Sequence, residues 1–482
     1  MKNNDLTPNG IKKENKPMEK LLIIGAVFAA ATYSTDALAA IAYTYENDGK
    51  TCIATVTGEN STITTSSEDV AIFENGFTNF VKRGDKDLYL WVGAGNSYAG
   101  DIRLEAGCLI FWGNAIGIDK TPGTITIDMG NLVLYGGTVA KDVACALDSG
   151  ERWDGRSIQV WEGRTADITG KITVGNRRLR IYAYKGTHAA NLSIRGGIED
   201  LSDATGFAYF GAFGGSTITI AEKPLNLKRE VYFPTPDWTL TQVDGFIGHY
   251  VFAVAGNRMM GLGYDGPEET LVDRAEVKTT VDWAFDNASM SVSLGHDSVW
   301  DLCGTSQRIG TMKWRHRTGN MSVVTNSLET PATLHMGKFG SYWYGDSAAP
   351  HILFGGNLSV VFEGDFTTKV DYAMTAVGDL TINGDGANQS STLAFQTNGS
   401  WANATNVTVK GAGKITIANS GALGINANVN LASSSSLEIA SGVTVNVRTL
   451  TVGGVQRPAG NYTFGSGTLH VARPTGLVIS VK

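Results

Sequence analysis

The sequence predicts an all-β protein, a right-handed parallel β-helix or β-solenoid with an irregular stretch or a discontinuity near its centre. The first observation is that short segments of alternating apolar and polar residues recur about every 20–25 residues, as in solenoid repeats. The second is composition: 59 of 482 residues are glycine and only 11 are proline, which suits many tight turns between extended segments. The third is that no segment after the N-terminal region has a long apolar pattern of helical period.

Residues 1–39 have the features of a secretory signal region. The part that starts at Met18 begins with charged residues, continues with the apolar run Leu21–Ala31 and ends in the small-residue pattern Ala37–Ala39. That apolar run is too short to remain as a membrane-spanning helix, which needs about 20 residues. We therefore expect export, to a secreted or outer-surface location, with translation starting at Met1 or Met18. No membrane-spanning segment is expected after the signal is removed.

Export should remove the chain up to about Ala39. N-terminal sequencing of the mature protein from cell envelope or medium measures this directly. Recovery of an intact Met1 or Met18 terminus from the cytoplasm would contradict the prediction.

Residues 40–225 are predicted to form an N-terminal β-solenoid. Short alternating segments stand between glycines here, as in GDKDLYLWVGAGNSYAGDIRLEAGCLIFWG, residues 84–113, which we interpret as scaffold. The predicted inward residues are Leu88, Leu90, Ile102, Leu104, Leu109, Ile125, Ile127, Leu132 and Leu134. Equivalent positions in successive coils are predicted to be Leu88 and Leu109, Leu109 and Leu132, and Ile158 and Leu179.

Residues 226–300 are less regular, with prolines, bulky aromatics and an acidic stretch, and predict longer excursions or a break in the solenoid. Residues 301–447 are predicted to be a C-terminal solenoid, because aliphatic pairs again alternate with serine, asparagine and threonine. Within it, Ile415 and Leu437 are 22 residues apart and are assigned to equivalent positions. Residues 448–482 are predicted to be the closing coil.

Three segments resemble the autotransporter-associated β-strand repeat of bacterial surface proteins. They are residues 81–134, 298–312 (SVWDLCGTSQRIGTM) and 450–464 (LTVGGVQRPAGNYTF). The first supplies the motif residues Lys82, Gly84, Leu88, Leu90, Asn96, Tyr98, Gly100, Gly107 and Leu109. The resemblance implies a passenger-like β-solenoid that is exported, and it implies no catalytic mechanism. Full autotransporters continue into a translocating barrel, whereas this chain ends in VISVK, so we do not expect secretion through its own barrel.

Charge and cysteine content exclude several classes. A net charge of −7 and a pI of about 5.6 disfavour a nucleic-acid partner. The four cysteines are far apart in sequence, which excludes a CxxC metal or redox motif. No cofactor and no metal site are predicted.

Several polar groups are candidate sites that we interpret as surface or turn chemistry. His296, Asp297 and Ser298 are adjacent, and neighbouring strand residues point to opposite faces, so they cannot form a triad among themselves. An acidic group comprises Asp265, Glu268, Glu269, Asp273 and Glu276. It could supply glycosidase carboxylates, although solvated acidic turns are commoner. The candidate glycan contacts are aromatic: Trp314, Tyr342, Trp343 and Tyr344.

The sequence thus favours a non-catalytic structural or adhesive protein, displayed at the cell surface or secreted, with extracellular glycans or other surface proteins as partners. Two alternatives stay open. One is a carbohydrate-active β-helix enzyme, either a polysaccharide lyase or a glycosidase. The other is a non-catalytic glycan-binding module.

Overall fold

A computed structural model describes most of the chain between residues 41 and 473. It leaves out residues 75, 94, 96, 146–156, 162, 176–178, 184–187, 202–206, 235–247, 266–274, 296–297, 315–321, 342–351, 371 and 385–390. All described residues belong to the unit Ala39–Lys482. The described residues are 58% strand and 3% helix, and their stacked parallel coils form a β-solenoid, as the sequence predicted. One coil cannot bury its own apolar row, so each coil relies on its neighbours for burial and for backbone hydrogen bonds.

Strands from successive coils form long hydrogen-bonded ladders, one for each face of the solenoid. Ladder A has nine strands: Ile41–Glu46, Thr51–Val56, Asn79–Arg83, Asp101–Leu104, Thr124–Ile127, Asp142–Cys145, Ile172–Val174, Ile198–Asp200 and Leu225–Asn226. Ladder C also has nine: Gly137–Val139, Thr165–Ile168, Asn191–Ile194, Ser216–Ile220, Gly248–Phe252, Ala275–Thr279, Val299–Asp301, Ser322–Thr325 and Ile352–Phe354.

Ladder B is the longest. Its strands are Ser61–Thr64, Leu88–Trp91, Cys108–Trp112, Asn131–Tyr135, Ser157–Val160, Leu179–Ala183, Phe207–Ala212, Glu230–Pro234, Gly261–Asp265, Asp286–Leu294, Ser306–Trp314, Ala332–Ser341, Leu358–Glu363, Leu380–Gly384, Asn406–Gly411, Asn428–Leu431, Thr449–Val452 and Val455–Gln456. Ladder D comprises Phe366–Val370, Ser391–Phe395, Lys414–Ile417 and Ser436–Ile439, and ladder E comprises Thr444–Val447, Gly467–Val471 and Gly460–Phe464. Two short 3₁₀ helices span Glu68–Glu74 and Ala115–Gly117.

The core is a column of aliphatic and aromatic side chains, and the predicted inward residues line it. All nine of those leucines and isoleucines between residues 88 and 134 are at most 1% exposed. The alternation predicted them because successive strand residues point to opposite faces, so a strand with one buried face reads apolar at every second position.

Most of the predicted registers are confirmed, and one is wrong. Leu88 pairs with Leu109, Leu109 pairs with Leu132, and Ile415 pairs with Leu437. Ile158, however, pairs with Ile181 and not with Leu179. A shift of two residues keeps every side chain on its face, so alternation alone could not distinguish the two registers.

The central stretch 226–300 contains no break in ladders B and C. Glu230–Pro234 pairs with Gly261–Asp265 in ladder B, and Gly248–Phe252 pairs with Ala275–Thr279 in ladder C. Of the two alternatives, a discontinuity is therefore not found in the described strands of these two ladders. The other alternative, longer excursions, concerns residues 235–247 and 266–274, which lie outside the described part.

Ladder A, in contrast, is no longer made of full strands in this region. After Asn226 it continues through single bridges, such as the one between Asn257 and Phe285. It then joins ladder B through long strands, the first of which has a register shift between Asn287 and Ser291. In the next of these strands, a Cβ on Gly310 would lie 2.1 Å from the carbonyl oxygen of Ala288. Glycine is required there because the backbones of adjacent coils approach too closely for a side chain.

Antiparallel strands close both ends of the solenoid. Ile41–Glu46 pairs antiparallel with the first coil strand, Thr51–Val56. At the other end, Val455–Gln456 pairs antiparallel in ladder B and Gly460–Phe464 does so in ladder E. The segment predicted as a closing coil contains these terminal hairpins. Such caps interrupt the parallel stacking and protect the terminal edges from pairing with another chain.

Buried lysines tie adjacent coils together at the corners. Lys82 is 0% exposed, and its ammonium donates to the carbonyl oxygens of Gly84 (2.6 Å), Ala106 (2.7 Å) and Lys86. Lys141, also 0% exposed, donates to the carbonyl oxygens of Gly100 (3.0 Å) and Pro122. These ammonium groups satisfy carbonyl groups at the coil corners, which would otherwise be costly to bury.

Burial lowers the pKa of Lys141 to about 8 from 10.5. Between these two pH values, Lys141 is protonated in the unfolded chain but neutral in the folded protein. Because the unfolded chain then binds more protons, the unfolding free energy should increase as the pH rises from 8 to about 10. Lys141→Met should remove that contribution. The difference in unfolding free energy between the wild type and the variant, measured by urea titration across this range, should grow with pH in favour of the wild type. A difference in unfolding free energy that does not change with pH would contradict this prediction.

Candidate functional site

The structure tests few of the predicted sites. Trp314 ends the strand Ser306–Trp314, but its side chain and the residues Tyr342, Trp343 and Tyr344 lie outside the described part. The same holds for His296, Asp297, the Asp265 side chain, Glu268, Glu269 and Asp273. The proposed glycan contacts therefore stay predictions.

Two members of the candidate polar groups, Ser298 and Glu276, have contacts in the described structure. The Oγ atom of Ser298, a residue only 2% exposed, lies 3.2 Å from the backbone nitrogen of Ala275 and accepts its hydrogen bond. Ser298 is thus buried and not on the surface, whereas its backbone N–H donates to the carbonyl oxygen of Gly295, as in a turn. Glu276 lies 2.6 Å from Nδ1 of His249, which is in the preceding coil, and 3.2 Å from the Lys278 ammonium. Both residues connect neighbouring strands.

A stack of aromatic rings lies on the outer side of ladder B in the N-terminal coils. The ring centroids of Trp91 and Trp112 are 4.9 Å apart with planes inclined by 23°, and those of Trp112 and Tyr135 are 4.0 Å apart with planes inclined by 21°. The Arg164 guanidinium lies 4.6 Å from the Tyr135 ring centroid, at cation–π distance. The aromatic side chains of three successive coils and the Arg164 guanidinium thus form one column.

Sequence reasoning missed this column although it identified the strands. Each aromatic residue ends a ladder B strand and points outward. The spacing from Trp91 to Trp112 and on to Tyr135 is 21 and 23 residues, the same as that of the inward leucines. The signal was present, but residues 84–113 were interpreted from their inward row alone. That row is scaffold as predicted, whereas the outward row forms a separate surface feature.

A polar groove of about 340 Å³ lies on ladder A in the same coils. Its floor includes Ile53 and Val81, which lie outside the main core cluster but are only 1% and 7% exposed. Its wall and rim residues include Glu46, Asn47, Thr51, Asn79, Arg83, Asp101, Arg103, Glu105 and Thr126. The arginines are neutralised in pairs, because Arg83 Nε lies 2.6 Å from Glu105 Oε2 and Arg103 binds Asp128. The groove can therefore offer hydrogen bonds to polar ligands but has little unbalanced positive charge.

A charged column crosses four coils where ladders A and B join. Arg308 lies 2.8 Å from Asp286 and 3.4 Å from Glu363, and Glu363 lies 2.6 Å from His335 Nδ1. The Arg308 guanidinium also lies 5.3 Å from the ring centroid of Trp283, whose φ of 57° is rare for a bulky residue. This network fixes the strands against one another at the point where the cross-section changes.

The electrostatics of Glu105 and Glu363 do not suit general acid catalysis. A hydrogen bond from Arg83 lowers the pKa of Glu105, and a hydrogen bond with His335 lowers that of Glu363. A general acid in glycoside hydrolysis needs a raised carboxyl pKa, so these two carboxylates are shifted in the wrong direction.

Cys52, Cys108 and Cys303 are free thiols. Burial raises the pKa of Cys52, Cys108 and Cys303 to about 11, so these three stay protonated at neutral pH and are poor nucleophiles. Within the described part of the chain, no group of three or more His, Cys, Asp or Glu residues could hold a metal ion. Nor do the described residues include a helix long and apolar enough to span a membrane.

No protein-family profile, no curated protein and no solved structure matches this chain. The resemblance to autotransporter-associated repeats therefore rests on the sequence motifs alone.

Proposed function

We propose that the chain is an exported structural or adhesive protein of the cell surface or extracellular space, similar to an autotransporter passenger, with no catalytic activity of its own. The observation that carries the proposal is the continuous solenoid with antiparallel caps at both ends. Such a scaffold presents repeated outward positions at a spacing of about 4.8 Å, the distance between neighbouring strands. Many equivalent positions on one face suit the binding of extended or repetitive partners.

The outer surface supports this role through contacts that join one coil to the next. Pairs between adjacent coils include Arg83–Glu105, Lys171–Glu199, Arg195–Asp167, Arg308–Asp286 and Lys414–Glu438. Side-chain amides do the same in the C-terminal coils, where Asn428 Nδ2 donates to Asn406 Oδ1 (3.1 Å) and Thr449 Oγ1 donates to Asn428 Oδ1 (2.9 Å). Each exposed pair alone contributes little to the stability of the fold. Together, the pairs at several points along the solenoid help to hold the strands in register.

The enzymatic alternative has less support. The outer-face carboxylates with shifted pKa values, Glu105 and Glu363, are held in their charged form by basic partners. A polysaccharide lyase or glycosidase would instead place a poised acid or base in an open cleft.

Two measurements test the proposal. Immunogold labelling or protease shaving of intact cells should locate the protein at the outer surface or in the medium, and cells that lack it should adhere less to a surface or to one another. Confinement to the cytoplasm would refute it. So would release of reducing sugar or unsaturated uronate from polysaccharides by the purified protein, with the activity abolished by an outer-face carboxylate variant.

A further inference from the structure

We propose that the open end of the aromatic stack, the Trp91 ring, is a binding site for an uncharged pyranose unit of a glycan. The inference builds on the proposed adhesive function by giving it a contact residue and a ligand class. It concerns ladder B in the first coils and not the aromatic residues that the sequence suggested.

The stack has two unlike ends. At one end the Arg164 guanidinium lies 4.6 Å from the Tyr135 ring centroid, so this end is covered by a cation. At the other end the residue in register with Trp91 is Thr64, a side chain too small to cover an indole. Trp91 is accordingly 54% exposed. One face of its ring packs on Trp112, and the opposite face is turned toward Thr64 and solvent.

Because Trp91 leaves a large apolar surface in water, burying that surface against a ligand is favourable. Stacking on Trp112 at 4.9 Å also holds the indole in place. Side-chain entropy is therefore largely lost before any ligand arrives, which lowers the cost of binding. A rigid, exposed aromatic face is the surface on which the C–H groups of a sugar ring can pack.

The neighbouring polar groups favour a sugar over a protein. Thr62 and Thr64 both point outward on the adjacent strand, and the Thr64 and Ser66 hydroxyl oxygens are 3.0 Å apart. Hydroxyl groups both donate and accept hydrogen bonds, as do those of a sugar. A protein hot spot would instead be surrounded by packed side chains that exclude water. Because Thr62, Thr64 and Ser66 carry no charge, the site suits a neutral glycan and not an anionic one.

The test uses the purified mature protein and immobilised polysaccharides. The neutral set is dextran, mannan, starch and a β-1,3-glucan, and the anionic set is alginate and polygalacturonate. Apparent dissociation constants are compared for the wild type and for Trp91→Ala, Trp91→Phe and the control Ile425→Ala. Ile425 is 69% exposed and lies far along the chain. Circular dichroism and thermal unfolding verify that each variant is folded.

We expect binding to at least one neutral polysaccharide, weakened about tenfold or more by Trp91→Ala, a factor of ten being about 1.4 kcal/mol. Trp91→Phe keeps a ring and should stay within about threefold of the wild type, and Ile425→Ala should not change binding. Equal binding by wild type and Trp91→Ala, binding to the anionic set alone, or no glycan binding would overturn the inference. If Trp91→Ala reduces cell adhesion but no neutral glycan binds, the ring contacts a protein and the inference is equally overturned.

Failure here is distinguishable from failure of the proposed function. Surface location and the adhesion of cells that lack the protein do not depend on Trp91. A protein at the surface that supports adhesion without this site would leave the proposed function standing.

Discussion

Replacing Asp200 by alanine is expected to destabilise the protein by about 3–5 kcal/mol, the range for removing one partner of a buried ion pair. Arg229 is 2% exposed, and its guanidinium lies 2.7 Å from Asp200 Oδ1 and 3.0 Å from Oδ2. The guanidinium also donates to the carbonyl oxygen of Gly175, at 2.8 Å. The variant thus leaves a buried positive charge without its carboxylate, and it also removes the acceptor of the Lys228 backbone N–H.

Urea unfolding followed by circular dichroism measures this effect, and two further variants interpret it. Asp200→Leu combined with Arg229→Met removes both charges and should be less destabilised than Asp200→Ala, because no buried charge remains. Glu438→Ala removes a comparable but exposed pair, with Lys414 at 2.6 Å, and should cost at most about 1 kcal/mol. A cost for Asp200→Ala no larger than that of Glu438→Ala would show that the pair is hydrated in solution.

Leu109→Ala is expected to cost about 2–5 kcal/mol, as for a fully buried leucine. Leu109 is 0% exposed and lies between Leu88 and Leu132 in ladder B. Rigid coils above and below it limit how far the cavity can collapse, so the loss includes both the transfer of the side chain and the void left behind.

The matched control for Leu109→Ala is Leu328→Ala, since Leu328 is 49% exposed. It should change the unfolding free energy by less than about 0.5 kcal/mol. Both variants should keep the wild-type dependence of unfolding free energy on urea concentration, which shows that the same surface unfolds. If Leu109→Ala cost less than about 0.5 kcal/mol, Leu109 would not face the core.

Much of the scaffold could be predicted from local sequence patterns. The alternation at Leu88–Leu90 and Ile102–Leu104 specifies which face is buried, because side-chain direction in a strand repeats every two residues. The glycines between these runs marked the turns, and the recurrence near 22 residues indicated stacked coils. For the same reason, the sequence predicted that helix is scarce after residue 39.

The sequence alone determined the all-β class, the parallel solenoid and the inward row of each regular coil. Tertiary structure decided what depends on how coils of unequal length stack. Only stacking shows that Ile158 pairs with Ile181, that ladders B and C run on through 226–300, and that Asp200 meets Arg229. It also places Trp91 on Trp112. The physical reason is that alternation acts within one strand, whereas register between coils depends on the length and path of the loops, which no local pattern records.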